Sequence, residues 1–300
     1  MTVRRFTTAL FLFLVFAGLA STPAPSEKGK IAFSVEYPWG LYVLDLDSRE
    51  IEKLEVGGNE IGQIAYNRKK NLLAFESAEH EDIPSICIPD LSTKQTYRLY
   101  EPTGFDEARY MPAFHPDGEY LLLVSQEGKI FRHDIKTRKW TEVELVHSDY
   151  SDFFGMSFSD AGTKVALMSG LRGKGLLIGD ISGNRITVKS HILKDIPVFS
   201  GRWIGDNELV FTGMRSDRGC AQLWRLSLPD KLLRQLTQPN LFVRGNIGLS
   251  SDKKWIVFAG ASDDRPGEWV LWRVSAEGEG LERLTSHEDL HGQSSPVWIE

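Results

Sequence analysis

LYVLDLDS, from Leu41 to Ser48, is an apolar stretch of strand length that ends in an acidic turn, and its reading decides the fold. The pattern returns as ICIPDLST from Ile86, IFRHDIKT from Ile130, LLIGDISG from Leu176, LWRLSLPD from Leu223 and LWRVSAEG from Leu271. Asp45, Asp90, Asp134 and Asp180 share one register, which Ser227 and Ser275 take over in the last two copies. The copies stand about 44 to 48 residues apart, a period long enough for one unit of several strands.

Three further series share that period. Near-continuous apolar runs precede each copy: IAFS from Ile31, LLAFES from Leu72, YLLLVS from Tyr120, VALMS from Val165, LVFTG from Leu209 and WIVFAG from Trp255. Such runs are expected of strands covered on both faces. Alternating segments such as QTYRLY, KWTEVE and RITVKS follow each copy, as half-exposed outer strands should. A last series, IAYNRKKN, PAFHPDGE, MSFSDAGT, RWIGDNE and IGLSSDKK, comes before the apolar runs, and its missing copy is PVWIE at Pro296–Glu300. Residues 30–300 therefore begin at the second strand of one unit and end on the first strand of that unit. Pairing the two ends leaves no open seam. The expected fold is all-β, a single six-bladed β-propeller of four-stranded blades, closed by pairing of the N- and C-terminal strands in one blade. An open β-solenoid is the alternative, but it gives no reason for the terminal half-repeat. No long stretch holds helical periodicity.

Ahead of the repeats, Arg4 and Arg5 precede an apolar run from Phe6 to Leu19, and the small residues Gly18 and Ala20 suit cleavage after Ala20. Residues 1–20 read as a signal peptide and 21–29 as a linker. The run is shorter than the ~20 residues of a bilayer span. A periplasmic or secreted protein, without a membrane span once the leader is removed, is expected. A formal net charge of -6 weighs against nucleic acid, whose phosphates are recognised by Lys and Arg. Cys87 and Cys220 fall in opposite blades of the expected ring, beyond the ~7 Å reach of a disulfide, so both are expected as free thiols even in an oxidising compartment.

FHPDGEYLLLVS from Phe114 resembles the repeat of TolB-type propellers, an aromatic residue followed by a Ser/His-Pro-Asp-Gly turn and an apolar strand. RQLT at Arg234 and ERLT at Glu282 look like the same repeat's fourth strand. The likeness covers nearly all of residues 30–300, with worn copies at Asn67–Lys70, Ser159–Gly162 and Ser250–Lys253. It implies an exported propeller that binds other macromolecules. TolB carries an α/β domain before its propeller; the 29 residues ahead of the repeats are too few for one, so no such domain is expected here and contacts made by it are not expected to carry over. The repeat is also similar to those of prolyl oligopeptidase-type peptidases and of oligogalacturonate lyases.

No G-x-S-x-G elbow occurs. Gly173, Gly175 and Gly179 in RGKGLLIGD lack the spacing and the following helix of a dinucleotide site, and read as a turn. His287-Glu288-Asp289-Leu290-His291 matches H-E-x-x-H, whose chemistry needs a helix to set both His on one face. The segment lies instead between two strands, with Gly292 and two serines close behind. His287 and His291 are therefore only weak metal candidates, and no metal or cofactor is expected. His115 and His133 read as structural or surface residues.

The loops from each outer strand to the next inner strand converge on one mouth of the channel, and loops on a rigid frame often carry function. They place Glu60, Arg109, Tyr110 and Asp152 there, with Phe153, Phe154, Phe199, Phe242, Arg244, His291 and Gln293. Aromatics with Arg are the usual composition of binding hot spots, and Arg109 and Arg244 suit capture of a carboxylate or a peptide terminus. The competing expectation for each aromatic is a cap on packing between blades. The expected function is a non-catalytic, monomeric scaffold that recognises a protein or peptide partner of the cell envelope at these loops. The alternative is a metal-dependent propeller enzyme, a lyase or hydrolase similar to oligogalacturonate lyases, with its site at the same mouth.

Overall fold

The computed structural model describes residues 29–56, 60–78, 84–99, 111–125, 128–146, 153–170, 175–214, 220–288 and 290–299. The expected signal peptide, all but the last residue of the expected linker, and Arg109, Tyr110 and Asp152 lie outside them.

Among the described residues every regular element is a strand. The first three are β1 (Lys30–Glu36), β2 (Trp39–Asp45) and β3 (Ile51–Leu54), antiparallel in sequence order. A second sheet holds β4 (Glu60–Asn67), β5 (Leu72–Ala78), β6 (Pro84–Asp90) and β7 (Gln95–Leu99). Two runs of four come next: β8 (Ala113–Phe114), β9 (Tyr120–Val124), β10 (Ile130–Asp134) and β11 (Trp140–Val146), then β12 (Gly155–Phe158), β13 (Lys164–Met168), β14 (Leu176–Ser182) and β15 (Arg185–Ile192). Two more four-stranded sheets follow. One is β16 (Val198–Ile204), β17 (Glu208–Gly213), β18 (Gln222–Ser227) and β19 (Leu233–Gln235). The other is β20 (Leu241–Leu249), β21 (Trp255–Ser262), β22 (Val270–Ser275) and β23 (Glu282–Arg283). β24 (Ser294–Ile299) returns to β1, with Lys30 opposite Ile299, Ile31 opposite Trp298 and Ala32 opposite Val297, so the sheet order is β24-β1-β2-β3.

β24, β4, β8, β12, β16 and β20 each touch the next, and β20 closes on β24. The sheets stand around this ring in a propeller-like arrangement. One feature departs from the expectation of separate four-stranded sheets. β8–β11 and β12–β15 merge into a single eight-stranded sheet, because the outer strands β11 and β15 pair in parallel from Glu144–Val146 to Arg185–Thr187. Both are long for outer strands, and an exposed edge of unpaired N–H and C=O groups is satisfied by the nearest similar edge. Arg185 Nε also donates to Glu144 Oε2 across the seam, at 2.7 Å.

The core lies in slabs between neighbouring sheets, and this explains the unbroken apolar runs. Along β1, Ile31 and Phe33 pack towards Val257 and Leu271, while Ala32 packs towards Ile64 and Leu73. Along β13, Val165 and Leu167 face one neighbour, and Ala166 and Met168 the other. Successive side chains of a strand point to opposite faces, so a strand covered on both faces needs apolar residues throughout.

The recurrent Asp is a turn residue. Asp45 Oδ1 accepts the N–H groups of Asp47 and Ser48, at 2.9 and 3.0 Å. Asp90 does the same for Ser92 and Thr93, and Asp134 for Thr137. The backbone donors of Ser48 and Asp47 hold the Asp45 carboxyl below its ordinary range. Asp180 departs from the pattern, because β14 runs on through it to Ser182. Cys87 is buried in β6, and neither it nor Cys220 forms a disulfide among the described residues. Among the described residues no helix is long and apolar enough to cross a membrane.

Candidate functional site

The inner strands carry the features that shape the axis. In β4 the register passes from Ile61–Ser77 to Ile64–Phe75, which leaves Gly62 and Gln63 outside the ladder. In β20 it passes from Arg244–Ala259 to Ile247–Phe258, which frees Gly245 and Asn246. β16 skips Phe199 in the same way. Such bulges bend a strand and re-aim side chains. At Gly245, with φ of +67°, any Cβ would lie 2.6 Å from Ser294 Oγ, so the bulge requires glycine.

The freed amides link the inner strands, and two of the three bonds reach past an intervening strand of the ring. Asn246 Nδ2 donates to Ile64 O at 3.2 Å, and its Oδ1 accepts from Ser200 Oγ at 3.0 Å. Gln63 Nε2 donates to Phe154 O at 3.2 Å. Asn246 and Ser200 are 3% and 2% exposed, so these bonds form a buried polar belt between the two ends of the axis. The paired Gly62-Gln63 and Gly245-Asn246 were the available sequence signal.

At the end where the inner strands begin, the expected rim residues separate into different roles. Glu60 is the exposed first residue of β4. Phe199 and Phe154 meet edge to face, with ring centroids 6.3 Å apart. Phe153 is 2% exposed and belongs to the core, as the packing alternative had it. Phe242 and Arg244 lie within β20, since that strand begins six residues ahead of the IGLS segment read as its start. Arg244 pairs with Glu36 at 3.0 Å, donates to Gln293 O at 3.4 Å and covers the ring of Trp269. Burial lowers its pKa, and Glu36 opposes the shift. Its Nε is buried without a hydrogen-bond partner.

Gln293 is placed at this end, but its side chain is not open for binding. It is fully buried, donates to Ser286 O and Leu290 O at 2.7 and 3.1 Å, and accepts from Thr285 Oγ1. The amide is consumed in folding its own segment. His287 and His291 do come together, with rings 4.3 Å apart and nitrogens separated by 3.2–3.3 Å. His287 and Glu288 lie in a bend and His291 in a bridge to Tyr37, so the described residues of the H-E-x-x-H match are not on a helix, as its chemistry needs. Among the described residues no group of three or more His, Cys, Asp or Glu is placed to hold a metal ion. Two residues that the sequence reading passed over complete this end. Tyr37 and Trp39 flank Pro38 at the β1–β2 hairpin and are 68% and 44% exposed. Tyr37 is anchored by paired backbone bonds with His291, at 3.1 and 2.8 Å. The aromatic-Pro-aromatic run at a hairpin tip was the legible signal.

The opposite end, where the inner strands finish, holds a cavity of about 490 Å³. Arg202 lines it with Met156, Phe158, Leu249 and Trp298, and Arg68, Lys69 and Lys253 stand at its edge. Lys253 is paired with Asp160 and donates to Trp203 O at 3.2 Å. His115, expected to be structural, stacks on Tyr120 and pairs with Asp117 at 2.8 Å. His133 is 1% exposed with both ring nitrogens unpartnered, and burial pushes its pKa down to about 4.

Comparison with known proteins bears on the fold. A family model described as the dipeptidyl peptidase IV N-terminal region matches residues 192–296, less than half of the chain. No curated protein matches the sequence. Among solved structures, TolB from Acinetobacter baumannii superposes with a TM-score of 0.73 at 18% identity, over 90% of this chain and 66% of that one. The chain thus spans just under two thirds of the length of that TolB. A putative TolB from Agrobacterium tumefaciens gives 0.52 at 22% identity, over 67% of this chain and 69% of that one. An oligogalacturonate lyase in complex with manganese gives 0.54 at 14%, over 86% and 74%. At such identities the likeness shows the fold alone, a propeller.

Proposed function

We propose that this chain is an exported, non-catalytic binding scaffold, a monomeric six-bladed propeller that takes a protein or peptide partner of the cell envelope on the face where its inner strands begin. The six-blade count treats β8–β11 and β12–β15 as two blades joined at their outer edges, and it is supported by the six apolar slabs, one between each neighbouring pair. The likeness to TolB propellers and the leader-like residues 1–20 favour a periplasmic or secreted location. The observation that carries the binding reading is the pair of exposed aromatics, Tyr37 and Trp39, next to His291 and the Arg244–Glu36 pair. Large aromatics left open beside Arg are the composition of binding hot spots, where one side chain can supply about 2 kcal/mol or more.

Retention of envelope proteins by the immobilised chain tests this. A discrete partner held by the wild type and lost with Tyr37→Ala/Trp39→Ala, at unchanged melting temperature, is expected. No retained protein, together with turnover of a substrate, would overturn it. The second reading, a metal-dependent lyase or hydrolase, draws on the His287 and His291 nitrogens, whose 3.2 Å separation suits neighbouring positions around one cation. Stoichiometric metal in the purified protein, lost in His291→Ala, would favour it over the scaffold.

A further inference from the structure

The six inner strands pair with their second strands in one register, so equivalent positions can be read across them. Arg202 stands opposite Val210. The same position is Ala65 in β4, Ala113 in β8, Ser157 in β12, Gly248 in β20 and Val297 in β24. Five small or medium residues and one arginine therefore face a common space, and all six line the 490 Å³ cavity. The small residues leave the room that the long side chain enters.

Among the described residues no carboxylate pairs with that arginine. Among the described residues its one hydrogen bond runs from Nη1 to Gly201 O, at 2.9 Å, and it forms no ion pair. The lining carboxylate, Asp160, is engaged by Lys253. Burial with no opposing carboxylate pulls the guanidinium down to about 10, where it remains charged at neutral pH. Arg202 is half-buried, and a charge that has lost part of its water without gaining a carboxylate is open to one, which a guanidinium fork matches through two parallel bonds. Arg68 and Lys69 add positive charge at the edge of the cavity, while Lys253 and Asp160 offset one another, in a chain whose formal net charge is -6. The lining offers Arg202 an apolar and aromatic part, with Met156, Phe158 and Trp298, and a polar part, with Asn67, Ser157, Ser159 and Ser250.

We propose that this cavity binds a carboxylate carried on an apolar body, with Arg202 as its anchor. The volume lies within the ~300–1,000 Å³ range of small-ligand sites. The site is at the far end of the axis from Tyr37 and Trp39, so it stands or falls independently of the partner surface proposed above. A free aromatic acid and the C-terminal residue of a peptide present the same chemistry.

Trp298 in the wall supplies a fluorescence signal, and calorimetric titration of the full chain a second one. The probes are 3-phenylpropanoate, N-acetyl-Ala-Phe as the free acid, and the same dipeptide as its C-terminal amide. Saturable binding of an acid, at least ~10-fold weaker binding of the amide, and loss in Arg202→Met are expected. Arg202→Lys, which keeps the charge without the fork, should fall between them. Arg202→Met should melt no lower than the wild type, since it removes an unpaired charge; a large drop would make Arg202 a structural strut and overturn the site. Tighter binding of the peptide acid assigns a chain terminus, and tighter binding of phenylpropanoate a small acid. Equal binding of acid and amide, wild-type affinity in Arg202→Met, displacement by equimolar inorganic phosphate, or no binding of either acid at millimolar concentration would refute the proposal. The acid–amide comparison needs no variant, so it decides the matter even where a substitution prevents folding.

Discussion

Replacing Asn246 by leucine tests whether the buried amide belt holds the inner strands together. The substitution keeps the branch at Cγ and deletes two hydrogen bonds, to Ile64 O at 3.2 Å and from Ser200 Oγ at 3.0 Å. Both partners stay behind in a region sealed from water, Ile64 at 0% and Ser200 at 2% exposure. A buried polar group left unmatched costs about 1–3 kcal/mol, so the pair predicts a loss of about 2–4 kcal/mol after the apolar side chain recovers a part. For a domain of this size that corresponds to a melting temperature lower by roughly 5–10 °C. Ser200→Ala alone leaves Asn246 Oδ1 unmatched and should cost about 1–2 kcal/mol. In the double variant the serine is no longer stranded, so its loss should fall short of the sum by about 1 kcal/mol. Urea titration, followed by tryptophan fluorescence and by circular dichroism to check for a single transition, measures all four corners of the cycle. A neutral Asn246→Leu, or a double variant that is additive within about 0.5 kcal/mol, would refute the belt as a structural tie.

Two further outcomes can be stated. His133 has a folded pKa of about 4, set by burial, with Asp134 and Arg138 pulling in opposite directions, against about 6.5 unfolded. The unfolded chain therefore takes up the proton first. Stability is unaffected above the unfolded value and falls by about 3 kcal/mol as pH drops from 6.5 to 4. His133→Phe should flatten that window in urea titrations at several pH values, and an unchanged pH profile would show that His133 is not the group responsible. Deleting residues 294–300 removes β24 and with it Val297, Trp298 and Ile299, each 4% exposed. At about 2 kcal/mol per buried side chain the loss of roughly 6 kcal/mol approaches the whole stability of many domains, so no cooperative melting transition should remain. A truncated chain that melts like the wild type would deny the closure its role.

The repeat was legible because each unit states its strands in the alphabet of burial. LLLV at Leu121–Val124 needs no period-2 alternation, since Leu121 and Leu123 face one slab and Leu122 and Val124 the other. The return of PVWIE to the first sheet followed from counting strands, and β24 lies beside β1. The starts of the inner strands were not legible. Gly62-Gln63 and Gly245-Asn246 break the alternation, so residues such as Phe242 and Arg244 read as loop although they are in β20. The candidate rim was legible as a region and not as roles. Nothing local distinguishes Gln293, whose amide is consumed internally, from an amide free to bind, because its partners Ser286 O and Leu290 O are set by a fold of the whole segment. Arg202 was hidden for another reason. Its significance lies in the small size of five residues far from it in sequence, and only the shared register brings them into one comparison.

The bond from Ser34 Oγ to Ser294 O joins residues 260 positions apart. During synthesis β1 therefore emerges long before the strand that completes its sheet exists, and its inner edge stays bare while the residues between them are made. Contacts of such long range slow the final step of folding and leave an adhesive edge open in the meantime. A chain built this way is easily kept unfolded while these strands are being made, and its ring closes only once β24 has arrived.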